Sequence, residues 1–145
     1  MIDRDEVRAQ SVLWGTPESQ IRTDHLVSHL LNGLDGIPGF VFFGGTALNR
    51  TYLDGCRLSE DIDLFLMHSD PADTTVITDA VLRTTRREFP DLAIEPAGVR
   101  EDVRTYMATT EDLIGRIQIV GPRQDDTRYP TTVRGVALRY SDLPH

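Results

Sequence analysis

The sequence predicts an α/β fold of the α+β type, with helices packed mainly on one face of a mixed β-sheet. Apolar residues recur at roughly helical spacing between Ile21 and Leu34. A short apolar run over 40–43 is stopped by two glycines, which is typical of a buried strand that turns directly into a helix. Beyond residue 90 the chain consists of short β-like segments. Helices and strands in alternation, followed by several strands, favour a mixed sheet covered on one side.

Each predicted element has a local start or stop signal. Gly15-Thr16-Pro17 separates the first two helices, and glycines with Pro38 end the second. Asp70-Pro71 opens a later helix, which Pro90 closes. The predicted helices cover residues 3–13, 17–34, 46–53 and 72–89. The predicted strands cover residues 40–43, 61–67, 92–95, 103–109, 114–120 and 132–138.

Composition limits the classes of protein to consider. A chain of 145 residues that is 39% hydrophobic suits one domain, residues 1–145, with a real core. No apolar run reaches the roughly 18 residues that a membrane span needs, and the polar, acidic start excludes a secretory signal peptide. We therefore expect a cytoplasmic protein without a membrane partner. Cys56 is the single cysteine, which excludes an internal disulfide and a thiolate metal cluster. The net charge of −8 disfavours binding to a phosphate backbone without excluding it, because the placement of charge matters more than its sum.

Two carboxylates lie two positions apart on the predicted second strand. Residues two apart on a strand point to the same side, so Asp61 and Asp63 should stand side by side while Ile62 faces the core. Two such carboxylates repel each other unless a cation lies between them, and Mg²⁺ prefers oxygen ligands. The nearby turn at Gly44-Gly45 offers free backbone N–H groups, which suit a metal-bound triphosphate. The alternative is a plain turn beside a solvated edge strand, but the apolar run that follows Asp63 indicates a central strand.

The combined motif resembles a known superfamily. Gly44-Gly45-Thr46-Ala47-Leu48 and Arg57-x-Ser59-x-Asp61-Ile62-Asp63-Leu64 are similar to the motifs of DNA polymerase beta-like nucleotidyltransferases. Within that superfamily, they resemble the AbiEii/MenT-type toxins of bacterial toxin–antitoxin pairs. The motif match covers roughly residues 40–66, and its joint spacing is more specific than either half alone.

The resemblance implies a nucleotidyltransferase-like sheet and a function. Such an enzyme moves a nucleoside monophosphate from an NTP to an acceptor hydroxyl, for which the 3′ end of tRNA is the expected acceptor and a cognate antitoxin the expected protein partner. The implied metal is Mg²⁺, with Mn²⁺ as the alternative. Asp61 and Asp63 would be the catalytic and metal-binding residues. The implied nucleotide-binding residues are Gly44, Gly45, Thr46, Arg57 and Ser59.

The chain departs from the family pattern in two places. A third acid is expected on the strand at 114–120, but Gln118 stands there, and a neutral amide cannot act as a general base. Members of the family also continue into a helical C-terminal half. We therefore expect residues 1–145 to correspond to the N-terminal half of such an enzyme, and we expect this half to turn over Mg–NTP poorly without the other. Two alternatives stay open: a non-catalytic remnant that binds nucleotide or a protein, and an enzyme that modifies a small molecule or a protein.

Three further residues have side chains that bind metals. His25 and His29 lie four apart on the predicted second helix, as a metal-binding pair would. With no third ligand nearby in sequence, we expect both on a solvated helix face. Glu95 is a candidate third carboxylate for the Asp61–Asp63 pair.

Overall fold

The structure, a computed structural model, describes residues 1–35, 37, 39–51, 57–66, 72–121 and 138–144. Within them the chain forms four helices and five strands. The helices are α1 (Arg4–Trp14), α2 (Glu18–Leu34), α3 (Gly44–Thr51) and α4 (Ala72–Thr85). The strands are β1 (Phe40–Phe43), β2 (Asp61–Leu66), β3 (Ala93–Arg100), β4 (Val103–Thr109) and β5 (Ile114–Val120). The strand predicted over 132–138 falls on residues that, apart from Leu138, lie outside the described part of the chain.

The helix ends follow local chemistry. The side chain of Asp3 accepts a hydrogen bond from the Asp5 N–H at the start of α1, and Gly15 ends that helix with φ +61°, a left-handed conformation that glycine adopts without strain. Helix α4 ends at Thr85, four residues earlier than predicted. The Thr85 carbonyl accepts hydrogen bonds from both Glu88 and Phe89, which closes a turn before Pro90. Among the described residues, no helix has the length and apolarity needed to cross a membrane.

The five strands form one mixed sheet in the order β1-β2-β5-β4-β3. Strand β2 pairs antiparallel with β1 and parallel with β5, whereas β5, β4 and β3 form antiparallel pairs. Strand β3 runs five residues beyond its predicted end because its pairing with β4 continues past an irregularity between Pro96 and Gly98. The two predicted strands over 103–109 and 114–120 are confirmed.

The core lies between one face of the sheet and the helices α2 and α4. Side chains of Ile62, Leu64, Ile117 and Ile119 point to that face and are almost completely buried. The residues between them in β2 are only half-buried, so the opposite face is where polar groups meet solvent. The predicted fold class, a mixed sheet with helices mainly on one face, is confirmed.

Candidate active site

The polar face of β2 carries both aspartates. Asp61 and Asp63 are half-buried, and they alternate with the buried Ile62 and Leu64. A cavity of about 210 Å³ opens beside them, lined among others by Gly45, Thr46, Arg57, Glu60, Asp61 and Asp63. We call it the Asp61–Asp63 cavity. The strand thus presents its two carboxylates to the same space as the first turn of α3.

The glycine turn touches the carboxylate of Asp63 directly. Gly44 has φ +82°, a left-handed conformation that strains other residues. A Cβ at this position would lie 2.5 Å from Oδ2 of Asp63, which is closer than a Cβ approaches a non-bonded atom, so the carboxylate would have to move. Position 44 therefore requires glycine both for its backbone conformation and for the space that Asp63 occupies.

The next residues complete the wall opposite the aspartates. The helix begins at Gly44 rather than at the predicted residue 46, so Gly45 and Thr46 lie in its first turn, where the helix dipole favours negative charge. The Arg57 guanidinium lies against Gly45, in the space that a side chain there would fill. The structure thus brings together Gly45, Thr46, Arg57 and the two aspartates, as the sequence predicts.

Ser59 lies elsewhere, in a buried network beneath the cavity. Its N–H donates to Oδ1 of Asp24 at 2.7 Å, and its hydroxyl accepts from Nε of Arg50 at 2.8 Å. Arg50 also forms an ion pair with Asp24, Nη2 to Oδ1 2.7 Å, and both side chains are fully buried. The predicted contact between Ser59 and a nucleotide stays a prediction, whereas its position supports a role in fixing the entry to β2.

Asp24 also holds the C-terminal segment of the described chain. The Tyr140 hydroxyl donates to Oδ2 of Asp24 at 2.8 Å, and it is also 3.1 Å from the carbonyl oxygen of Ile21. Nη1 of Arg139 lies 3.3 Å from Oδ1 of Asp24. Burial and the negative charge of Asp24 raise the pKa of Tyr140, so the hydroxyl keeps its proton and remains a donor.

We call these residues the Asp24 network: Asp24, Arg50, Ser59, Arg139 and Tyr140. The network joins α2, α3, the segment before β2 and residues 138–144. Sequence reasoning missed it because a buried acid on α2 has no local signature, and its partners lie between 26 and 116 positions away. The network fixes the two chain segments that form the walls of the Asp61–Asp63 cavity.

Arg116 is outside the predicted set of site residues, but it lies beside Asp61. It pairs with Asp61 across the parallel β2–β5 register, through Nη2 to Oδ2 at 2.7 Å and Nε to Oδ1 at 3.2 Å. The hydrogen bond to Asp61 raises the pKa of Arg116. Burial and the charge of Asp61 raise the pKa of Asp63, and Arg116 offsets this only in part. The site therefore has one carboxylate paired with arginine and one destabilised by its neighbour.

The β-sheet register decides which residues could supply a third acid. Gln118 is the β5 partner of Asp63, so the amide stands where the missing acid was expected. Glu95 shares a row with Asp61, but Met107 and Arg116 lie between them. Three interstrand steps separate their backbones by roughly 14 Å, which is too far for Glu95 to share a metal ion with Asp61. Among the described residues that line the cavity, the metal-binding side chains are all carboxylates, and oxygen donors favour a hard cation such as Mg²⁺.

A comparison with solved structures supports the fold. The fold matches a protein from H. pylori whose crystal structure is described as a "putative nucleotidyltransferase", with a TM-score of 0.55 and 21% sequence identity. The match covers 83% of this chain and 53% of that one, so the present chain spans about half the length of the H. pylori protein. The chain therefore has a nucleotidyltransferase-like fold. No curated protein matches the chain.

The family follows from the sequence. Residues 29–131, more than half of the chain, match the family model described as "Nucleotidyl transferase AbiEii toxin, Type IV TA system". The chain belongs to this family of nucleotidyltransferases, so the family predicted from the glycine and aspartate motifs is confirmed.

Proposed function

We propose that this chain is the metal- and nucleotide-binding part of a Mg²⁺-dependent nucleotidyltransferase toxin that transfers a nucleoside monophosphate to an acceptor hydroxyl. The observation that carries the proposal is the convergence of Asp61, Asp63, the first turn of α3 and Arg57 on one cavity. Each side of that cavity has the chemistry that one part of a metal–triphosphate complex needs.

The two aspartates fit a divalent cation. Burial and the charge of Asp61 both raise the pKa of Asp63, and a cation between the two carboxylates would offset both effects. When bound, Mg²⁺ would neutralise phosphate charge and favour in-line displacement at the α-phosphorus. Mn²⁺ has similar ligand preferences and is the natural substitute.

The remaining residues would bind the phosphates. Backbone N–H groups at Gly45 and Thr46 are suited to the negative charge of a triphosphate. The chain contains no lysine, so arginines must supply the positive charge, and Arg57 and Arg116 both lie at the aspartates' side of the sheet. In this proposal Arg116 leaves Asp61 when the metal complex binds, and its guanidinium then contacts the phosphates.

The reaction forms a bond between the acceptor oxygen and the α-phosphorus and breaks the bond from that phosphorus to the β-phosphate, which leaves as pyrophosphate. The acceptor's proton passes to solvent in this scheme, because Gln118 cannot accept it. Family membership favours the 3′ end of tRNA as acceptor and an antitoxin as partner. The alternative acceptor is a small molecule or a protein, and the negative net charge of the chain favours a cationic small molecule.

A second candidate is a protein that binds nucleotide without transferring it. The specific observation in its favour is Gln118 at the position beside Asp63, where a third acid would assist the acceptor. Metal-dependent binding without turnover distinguishes this candidate from the enzyme.

The test separates binding from transfer. The chain is titrated with each of the four NTPs in Mg²⁺, in Mn²⁺ and in EDTA. It is then incubated with each labelled NTP and, in separate reactions, with total tRNA, with a cationic small molecule and with a protein as acceptor. We expect weak, metal-dependent NTP binding that Asp63→Ala weakens at least tenfold, about 1.4 kcal/mol. Asp79→Asn, at an exposed acid on α4, is the matched control and should bind like the unmodified chain.

Three outcomes decide between the proposals. Labelled tRNA that disappears with Asp63→Ala supports the transferase. Binding that requires metal and Asp63 but gives no product with tRNA, small-molecule or protein acceptors favours the non-catalytic candidate. Absence of NTP binding in either metal would overturn both.

A further inference from the structure

His25 and His29 lie in the interior, and the prediction of a solvated helix face is wrong. Their exposed fractions are 1% and 8%, because the 138–144 segment and Phe89 cover this side of α2. The segment places Asp142 against both rings, although it lies more than 110 positions away in sequence. We call these three residues the His–Asp cluster: His25, His29 and Asp142.

The three donor atoms of the cluster form a nearly equilateral triangle. Nε2 of His25 lies 2.9 Å from Oδ2 of Asp142, Nε2 of His29 lies 3.0 Å from the same oxygen, and the two nitrogens are 3.1 Å apart. Neighbouring ligands at about 2.1 Å from an ion are about 3.0 Å apart in octahedral geometry and about 3.4 Å apart in tetrahedral geometry. The observed edges match one triangular face of an octahedral site.

Hydrogen bonding alone explains this arrangement poorly. An imidazole Nε2 carries either one hydrogen or one lone pair, so it can satisfy one partner well. If both nitrogens donated to Asp142, two N–H groups would face each other across 3.1 Å in a buried site. A cation at the apex above the triangle would accept all three lone pairs at once.

The charge state of the cluster suits a cation. Burial lowers the pKa of His25, and the neighbouring Asp142 offsets this only in part, which favours the neutral imidazole that binds metals. Burial alone would raise the pKa of Asp142, but the two neighbouring histidines lower it on balance, so this residue is a carboxylate.

We infer that His25, His29 and Asp142 bind a divalent transition-metal ion at a site separate from the Asp61–Asp63 cavity. Zn²⁺ is the probe ion, because as a d¹⁰ ion it has no geometric preference from its d-electrons and accepts the ligand arrangement that the protein offers. Two imidazoles with one carboxylate select zinc or a neighbouring transition metal, whereas Mg²⁺ and Ca²⁺ prefer oxygen ligands. His25 also lines a second cavity of about 1000 Å³ together with Glu88 and Phe89, which gives the ion an entry route and room for water ligands.

The ion's role is to anchor residues 138–144 to α2. Tyr140, two residues before Asp142, donates to Asp24, and Asp24 fixes Ser59 at the entry to β2. Binding of the ion would therefore stabilise the Asp24 network and the segments around the Asp61–Asp63 cavity, and the ion would take no part in the reaction.

The first experiment measures Zn²⁺ binding in a Cys56→Ser background, which removes the thiol as a competing ligand. Calorimetry should give one Zn²⁺ per chain. Zn²⁺ at hundredfold excess over its dissociation constant should raise the melting temperature by roughly 5–10 °C. The same concentration of Mg²⁺ should not reproduce this rise. His29→Asn and Asp142→Asn should abolish the Zn²⁺-dependent rise, whereas Asp61→Asn/Asp63→Asn and the control His68→Asn should retain it.

The second experiment needs no variant in the cluster and so remains decisive if those variants fail to fold. Long-range ¹H–¹⁵N spectra of the chain resolve the side-chain nitrogens of its four histidines. One equivalent of Zn²⁺ should shift the Nε2 signals of His25 and His29 and leave those of His68 and His145 in place. Unchanged spectra, shifts confined to the other two histidines, or no saturable binding at about 100 μM Zn²⁺ would overturn the inference.

Discussion

Asp24 and Asp63 are both aspartates that the fold removes at least partly from water, yet their surroundings are opposite. Asp24 is completely buried and receives hydrogen bonds from Ser59, Arg50 and Tyr140. Asp63 is half-buried beside a second carboxylate, and its pKa is raised by burial and by the charge of that neighbour. A carboxylate whose charge is fully compensated holds chain segments together, whereas one whose charge is not compensated retains affinity for a cation.

The ion pairs of Asp24 and Asp61 with arginine differ in their exposure to solvent. The Arg50–Asp24 pair has side chains with no exposure, and removing one member would leave the other charged and buried. The Arg116–Asp61 pair is 45% and 37% exposed, so water and salt screen it and its contribution to stability is small. Breaking each pair should therefore have different consequences for folding and for ligand binding.

The largest effect on stability is expected from Asp24→Asn. The substitution keeps the size of the side chain but leaves the buried Arg50 without its counter-charge, which should cost about 3–5 kcal/mol of the free energy of unfolding. Urea unfolding followed by circular dichroism measures this value, with Asp79→Asn as the exposed control. A cost below about 1 kcal/mol would show that the charge of Asp24 is not what holds the network together.

The next effect is expected from Gly44→Ala. The positive φ should cost about 1–3 kcal/mol, and the new methyl group must also displace the carboxylate of Asp63. Gly39→Ala is the matched control, because Gly39 also has a positive φ, +96°, but has no atom within 4 Å of an added Cβ. Both variants should unfold more easily, whereas only Gly44→Ala should lose metal-dependent NTP binding. Equal NTP binding by the two variants would argue against the contact with Asp63.

A smaller effect on stability is expected from Asp61→Asn. Loss of the exposed pair with Arg116 should lower the free energy of unfolding by at most about 1 kcal/mol. Metal-dependent NTP binding should nevertheless be lost, because one of the two carboxylates at the cavity is gone. Thermal unfolding without metal and NTP titration with Mg²⁺ measure the two quantities. A large loss of stability would instead assign Asp61 a structural role.

The smallest and opposite effect is expected from Asp63→Asn. A carboxyl group whose pKa is raised by folding destabilises the folded state at pH values above that pKa, so at neutral pH its removal should leave the metal-free melting temperature unchanged or higher. Stabilisation by Mg–NTP should disappear in the same variant. A lower metal-free melting temperature would mean that Asp63 supports the fold, and the contrast with Asp24 would fail.

Local sequence patterns determined most of the secondary structure and the outline of the site. The bounds of β4 and β5 were predictable because apolar spacing and turns are local signals. Convergence of Asp61 and Asp63 on one side of β2 follows from the two-residue repeat of any strand. The pair of glycines predicted the turn, although not that the helix begins at Gly44 itself.

Tertiary structure alone decided what each polar residue contacts. His25 and His29 were expected on a solvated helix face because no third ligand is nearby in sequence. They lie in the interior instead, because residues 138–144 return to cover α2. Asp24 resembles any surface acid in the sequence, yet partners up to 116 positions away bury and compensate it. The backbone of its own helix or strand fixes the side of that element to which a residue points. Its burial and the charges around it depend on which distant segments pack against that side. The local sequence does not encode that packing.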